Sequence, residues 1–214
     1  MLQVWGRKSS SNVQAVMWCI AELGLAYERI DAGFTYGVVD TPAYRSMNPN
    51  GTVPTLVDGD NPPLWESGAI LRYLANVYAP ESFWPSDLVR RAETDKWAEW
   101  SKLNIALGFT RPIFWQVVRT APSKRNMDKA ENALTMLSRH LDIADEQLAV
   151  APFLAGHDLT LADIQFGHCL FRYYDIDIDR QDHANVRAYY DRLCGREAYR
   201  EHVMVSYEEL RVFD

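Results

Sequence analysis

Cysteine is scarce in this chain. Cys19, Cys169 and Cys194 are three in 214 residues, far apart and with no C-x-x-C pair. An odd, scattered set argues against a disulfide framework, a thiolate zinc site and a self-contained dithiol redox motif. The five histidines show no i, i+4 ligand spacing, so no metal is expected. Basic residues are in deficit: 22 Lys and Arg stand against 29 Asp and Glu, a net charge of −7. The deficit holds on both sides of residue 80, which removes the basic footprint of nucleic-acid binding and disfavours an anionic membrane as partner. No apolar run approaches the roughly 18 residues of a membrane span. The opening MLQVWGRKSS lacks the long apolar core and small-residue cleavage site of a signal peptide, so a cytoplasmic protein is expected.

Hydrophobic residues, by contrast, make up 48% of the chain, enough for a substantial core. Their spacing changes character near residue 80. Before it, strands and helices alternate. LQVW (2–5) reads as a strand, and Val13, Val16, Met17, Ile20 and Leu23 repeat at helical spacing up to Gly24, a natural helix stop. AYERID (26–31) reads as a second strand, parallel to the first. Residues 32–50 are irregular, with one short helix over 43–47. The stretch VPTLVDGDNPPLWES (53–67) reads as two strands about a turn at 58–61, and a helix follows with Ile70, Leu71, Leu74 and Val77 inward. Beyond the Pro-containing linker 79–86, only helical periodicity remains. Helices are expected over 88–118, 127–149, 161–174, 184–194 and 196–203. The expected fold is therefore an α/β domain over 1–78, ordered βαβ-α-ββα, followed by an all-helical domain over 87–214.

Three serines, Ser9, Ser10 and Ser11, precede the first helix. Such a cluster ordinarily caps a helix N-terminus. Pro54 follows Val53, and most X–Pro bonds are trans. Glu66-Ser67 opens another helix, where Ser67 suits an N-cap. In FLAGHDLTLADI, Thr160 and Asp163 form an acidic capping box with Leu159 and Ile164 at the staple positions, which is folding information alone. Phe109, Arg111, Phe114 and Trp115 recur near the end of one long helix.

Taken in order, SSNVQAV, NPNGTVPTLVDGDNPPLWESGAILRYLA and FLAGHDLTLADI make the chain resemble the cytosolic glutathione transferases over nearly its whole length. It is most similar to the bacterial and theta-like branch that uses a hydroxyl at the first helix. The resemblance implies a thioredoxin-like first domain and a helical second one. It implies glutathione as co-substrate, activated as its thiolate for attack on a hydrophobic electrophile, and a homodimer. It makes Ser10 the thiol-contacting residue, with Asn12 as a second polar contact. A cis Val53-Pro54 bond would expose the Val53 backbone to glutathione's cysteinyl unit. Glu66 and Ser67 would take its γ-glutamyl ammonium and carboxylate at a helix N-terminus. Ser11 and Thr52 join this glutathione-binding set, and Asn50 lies near the glycyl end. The second substrate would meet Phe34, Tyr36, Phe109, Arg111, Phe114 and Trp115. A glutathione-dependent peroxidase or disulfide reductase on the same site, or a non-catalytic ligand-binding protein, are the alternatives. Cys19, inside the first helix, is read as a small buried hydrophobe.

Overall fold

The computed structural model describes all 214 residues. Its first half is built on a four-stranded sheet in the order β2-β1-β3-β4. Strand β1 (Leu2–Trp5) pairs parallel with β2 (Tyr27–Ile30), the two joined by the crossover helix α1 (Ser11–Glu22). It pairs antiparallel with β3 (Thr55–Asp58), which turns at Asp58 to Asn61 into the short β4 (Leu64–Trp65). Helix α2 (Pro42–Met47) fills the irregular connection: Thr41 accepts its Tyr44 N–H at 3.2 Å, and Pro42 takes the first turn, where no N–H is needed. Helix α3 (Ser67–Tyr78) closes the unit. Ile70, Leu71 and Leu74 are buried as their spacing requires, but Val77 is 51% exposed because the last turn has run past the core.

The second half is helical. Residues 88–118 form one continuous rod, but it is not a plain α-helix. It runs as α4 (Leu88–Trp100), a π segment (Ser101–Ala106), α5 (Leu107–Phe109), a second π segment (Thr110–Phe114) and α6 (Trp115–Val118). Pro112 lies in the second π segment; a residue without an N–H disrupts regular i→i−4 pairing. Trp97 and Trp100 are half-buried, edge to face with each other at 5.2 Å, and packed against the core. Next come α7 (Met127–Val150), α8 (Leu161–Gly167), α9 (Leu170–Asp175), α10 (Ala184–Cys194) and α11 (Glu197–His202).

The single helix expected over 161–174 is thus interrupted after Gly167. A Cβ at Gly167 would lie 2.6 Å from Leu193 Cδ1 and 2.9 Å from Trp18 Cη2, so only glycine allows this approach. Asp163 works as the capping box implies. It accepts from Thr160 N–H (2.8 Å) and Oγ (3.0 Å), and also from Leu154 N–H and the Tyr189 hydroxyl.

One contiguous apolar core runs through both halves. Helix α1 is its axis. Trp18 is fully buried edge to face on Tyr199 at 4.8 Å, and burial of such a side chain is worth roughly 1.5–3 kcal/mol. Arg196 donates twice to Glu22 at 2.7 and 2.6 Å, tying the end of α1 to the start of α11. These contacts fix where the N-terminus of α1 points, and the candidate site lies there.

Candidate active site

Ser10 is the N-cap residue of α1, with extended backbone angles (φ −86°, ψ 121°). Its C=O accepts the first intrahelical bond, from Gln14 N–H at 2.8 Å. Its hydroxyl makes no hydrogen bond to the protein and faces a cleft of about 200 Å³ between the two halves. Ser9 borders the same cleft, but its polar groups are already engaged. It is buried, donates its hydroxyl to Glu209, and offers its C=O to Arg172 at 2.7 Å. Ser11 is the first residue of α1 and lies on the rim of the cleft. The three serines therefore have three different environments, and only the hydroxyl of Ser10 combines the N-cap position with an open face.

Asn12 lines the same cleft and a contiguous one of about 370 Å³ that holds Thr52 and Val53. The Val53-Pro54 peptide bond is cis. Neither the N–H nor the C=O of Val53 has a partner in the protein. A buried network holds this turn. The Tyr44 hydroxyl and Asn48 Nδ2 both donate to Thr52 C=O, at 2.7 and 2.9 Å, and both contact Thr55 Oγ1. Pro54 is buried and Thr52 is exposed. Asn50 bonds Asn48 and lines neither cleft.

Ser67 was expected as an N-cap. The structure makes Glu66 the N-cap and Ser67 the first helical residue. Glu66 has a left-handed φ of 69°, unusual for a side chain of this kind, and its exposed carboxylate forms no ion pair. Ser67 is 3% exposed and caps nothing; its Oγ accepts from Lys102 Nζ at 2.9 Å. The first intrahelical bond of α3 is Ile70 N–H to Glu66 C=O, so the N–H groups of Ser67, Gly68 and Ala69 are left for an anion.

Lys102 was not anticipated from the sequence. It comes from the first π segment and donates to both Asn12 Oδ1 and Ser67 Oγ, each at 2.9 Å, bridging the openings of α1 and α3. Burial lowers its pKa, against the raising effect of Cys169, Glu66 and Glu99. No sequence pattern singles it out, because its partners are 90 and 35 residues away.

The aromatic set divides. Phe109 and Phe114 are 1% and 0% exposed and pack on Tyr173 and Tyr207, so they are core residues and not cleft walls. Their helical spacing turns them inward, towards α9 and the C-terminal segment. Tyr36 is exposed and lines neither cleft. Phe34, Arg111 and Trp115 do line the clefts, together with Arg7, Arg119 and Arg172. Cys19 and Cys169 are buried, with their thiols pushed up by burial, Cys169 to about 11; neither is a nucleophile.

Comparison with known proteins agrees with this architecture. Residues 1–76 match the glutathione S-transferase N-terminal domain and residues 105–197 the C-terminal domain. The chain is 32% identical over 206 residues to glutathione S-transferase GstB of Escherichia coli K12, covering 96% of this chain and 99% of that one. It is 30% identical to glutathione S-transferase F9 of Arabidopsis thaliana, over 95% of this chain and 96% of the relative. The crystal structure of the theta class enzyme of Xanthomonas axonopodis pv. citri with glutathione bound superposes with a TM-score of 0.90 at 42% identity, covering 96% and 98% of the two chains.

Proposed function

From the premise that this chain belongs to the glutathione S-transferase family, we propose that it joins the thiol of glutathione to an electrophile, using Ser10 to hold the thiolate. The free hydroxyl of Ser10, at the mouth of α1 and beside the unpartnered Val53 backbone, carries this reading. Val53 pairs with the cysteinyl unit as a strand edge would. Ser67 and the free N–H groups of α3 take the γ-glutamyl carboxylate, and Lys102 supplies the positive charge beside it. Glu66 takes the ammonium. Ser11 and Thr52 lie along the same groove.

A free thiol has a pKa of about 8.5, so little of it is ionised at neutral pH. Serine is far too weak a base to remove the proton, which leaves to solvent. Its O–H instead donates to the sulfur anion. A hydrogen bond to a charged group is worth roughly 1.5–3 kcal/mol, and so lowers the thiol pKa by about 1–2 units. The dipole of α1 acts in the same direction. The thiolate then forms the S–C bond while the leaving group departs with its electron pair.

No cysteine lies where Ser10 stands, so disulfide exchange through a protein thiol is not part of this reading. The fold also suits a homodimer: Leu103 and Leu107, one turn apart on the rod, are exposed apolar side chains. No helix is long and apolar enough to cross a membrane. Turnover of a chloronitroaromatic, a hydroperoxide and a small disulfide, each with glutathione, tests the reaction class. Conjugation should dominate. Faster hydroperoxide or disulfide reduction would move the assignment to the reductive alternatives, and glutathione binding with no turnover of any of them would leave a binding protein.

A further inference from the structure

Four arginines line the cleft that the Ser10 hydroxyl faces, in a chain whose net charge is −7. Arg7, Arg111, Arg119 and Arg172 form no ion pair with any carboxylate of the protein. Arg172 is 3% exposed, lies 4.8 Å over the Phe114 ring, and has a buried Nε without a partner. Arg7 likewise has a buried, unpartnered Nε. Glu209, the carboxylate nearest in effect to Arg7, is engaged by the Ser9 hydroxyl. Burial lowers the pKa of Arg7, Arg119 and Arg172, and mutual repulsion adds to it for Arg7 and Arg172. Such an arrangement costs stability as it stands, and an anion would relieve it.

The geometry also says how that anion is presented. Arg111 and Arg119 both stack on Trp115, 5.2 and 4.6 Å from its ring, and Arg119 also lies 5.5 Å from the Phe34 ring. Stacking holds each guanidinium plane and leaves its N–H edge for a bidentate partner. The cleft of about 200 Å³ adjoins the one of about 370 Å³ that holds Val53, so the arginine-lined end takes a single ring or a short chain carried on a molecule seated in the larger cleft.

We propose that the second substrate is a small electrophile bearing a carboxylate, seated between Arg111 and Arg119 against Trp115, with Arg7 and Arg172 supplying positive potential behind it. This rests on the glutathione-transferase reading and narrows its substrate class. Glutathione's own carboxylates are a competing use for these cations, and the test must separate the two.

Two thioethers serve as probes, S-(4-carboxybenzyl)glutathione and its neutral near-isostere S-(4-carbamoylbenzyl)glutathione, with S-methylglutathione as reference. Calorimetry at low salt should show the carboxylate binding about tenfold or more tighter than the carboxamide, a ratio that shrinks as salt rises. In Arg111→Met plus Arg119→Met the ratio should fall to near one. Should the double variant not fold, Arg111→Met alone, at an exposed position, should lower the ratio at least about threefold. Equal affinity of the two probes in the wild type, or an unchanged ratio in the variants, overturns the proposal. If the variants weaken all three ligands equally, the arginines serve glutathione itself and the proposal also fails. Failure of the wild type to bind even S-methylglutathione would reject the underlying glutathione reading, which is a distinguishable result.

Discussion

Ser10 and its neighbours present the same side-chain chemistry in three settings. Ser9 is spent on Glu209 and Arg172, Ser11 begins the helix, and Ser10 keeps a free hydroxyl. Ser10→Ala should therefore raise the pKa of bound glutathione's thiol by about 1–2 units. Thiolate absorbance against pH reads this directly, and Ser9→Ala and Ser11→Ala should leave the titration nearly in place. A shift with Ser11→Ala and none with Ser10→Ala would transfer the role by one residue. Ser67→Ala should weaken glutathione binding by about 1–3 kcal/mol in calorimetry, through loss of a hydrogen bond to a charged carboxylate. Lys102→Met should weaken it by a similar amount, because the same carboxylate then lacks its cation. Affinity equal to wild type in both variants would remove the α3 opening from the site.

At the scale of elements, the position of α1 is set by what grips its far side. Trp18, buried against Tyr199 on α11, and the closely packed Gly167 at the end of α8 hold it from the helical half. Gly167→Ala puts a methyl where 2.6 Å is available, and overpacking of this kind typically costs about 1–3 kcal/mol. Ala's better helix propensity, worth up to about 1 kcal/mol, offsets only part of that. Chemical denaturation should show the loss, and a midpoint equal to wild type would mean that the packing relaxes freely. The rod over 88–118 illustrates a different point. Its apolar spacing announces a helix, but the two π segments rotate the side chains that follow them, and Lys102 reaches the site from the first of these.

For the whole molecule, pH and assembly are the accessible variables. His168 is buried, and that burial followed by the Lys102 charge lowers its pKa to about 3, although its Nδ1 lies 3.1 Å from Ile164 C=O. The unfolded chain then binds a proton that the native state refuses between pH 6.5 and about 3. The group's contribution to stability falls as pH drops through that window, by about 1.4 kcal/mol per unit. Asp163 acts in the opposite sense: burial raises it to about 6, so its contribution falls as pH rises from about 4 to 6. Denaturation of wild type and His168→Asn across pH 4–6.5 isolates the first effect. Parallel curves would show that His168 takes up its proton in the native state. Light scattering at micromolar concentration should report twice the 24.6 kDa chain mass, and a species of 24.6 kDa alone would contradict the dimer.

Local signals determined the order of the strands and helices of the first half, the turn at Asp58 to Asn61 and the Thr160–Asp163 cap. Each depends on residues within a few positions of one another, where spacing and side-chain type decide the outcome. The roles proposed for Ser10, Val53, Pro54, Glu66 and Ser67 come from the family resemblance of short motifs, whereas spacing and residue type alone give only helix caps and an ordinary proline. The close packing at Gly167 was not legible, since it depends on Leu193 and Trp18, which come from other helices. Nor was the inward turn of Phe109 and Phe114: helical spacing shows that aromatics share a face, but only the packed neighbours decide whether that face meets core or cleft. Lys102 and the arginines Arg7, Arg119 and Arg172 were invisible for the strongest reason. Arg172 meets Ser9 across 163 residues and Lys102 meets Asn12 across 90, so the charge of the site exists only once the helical half has folded against the sheet.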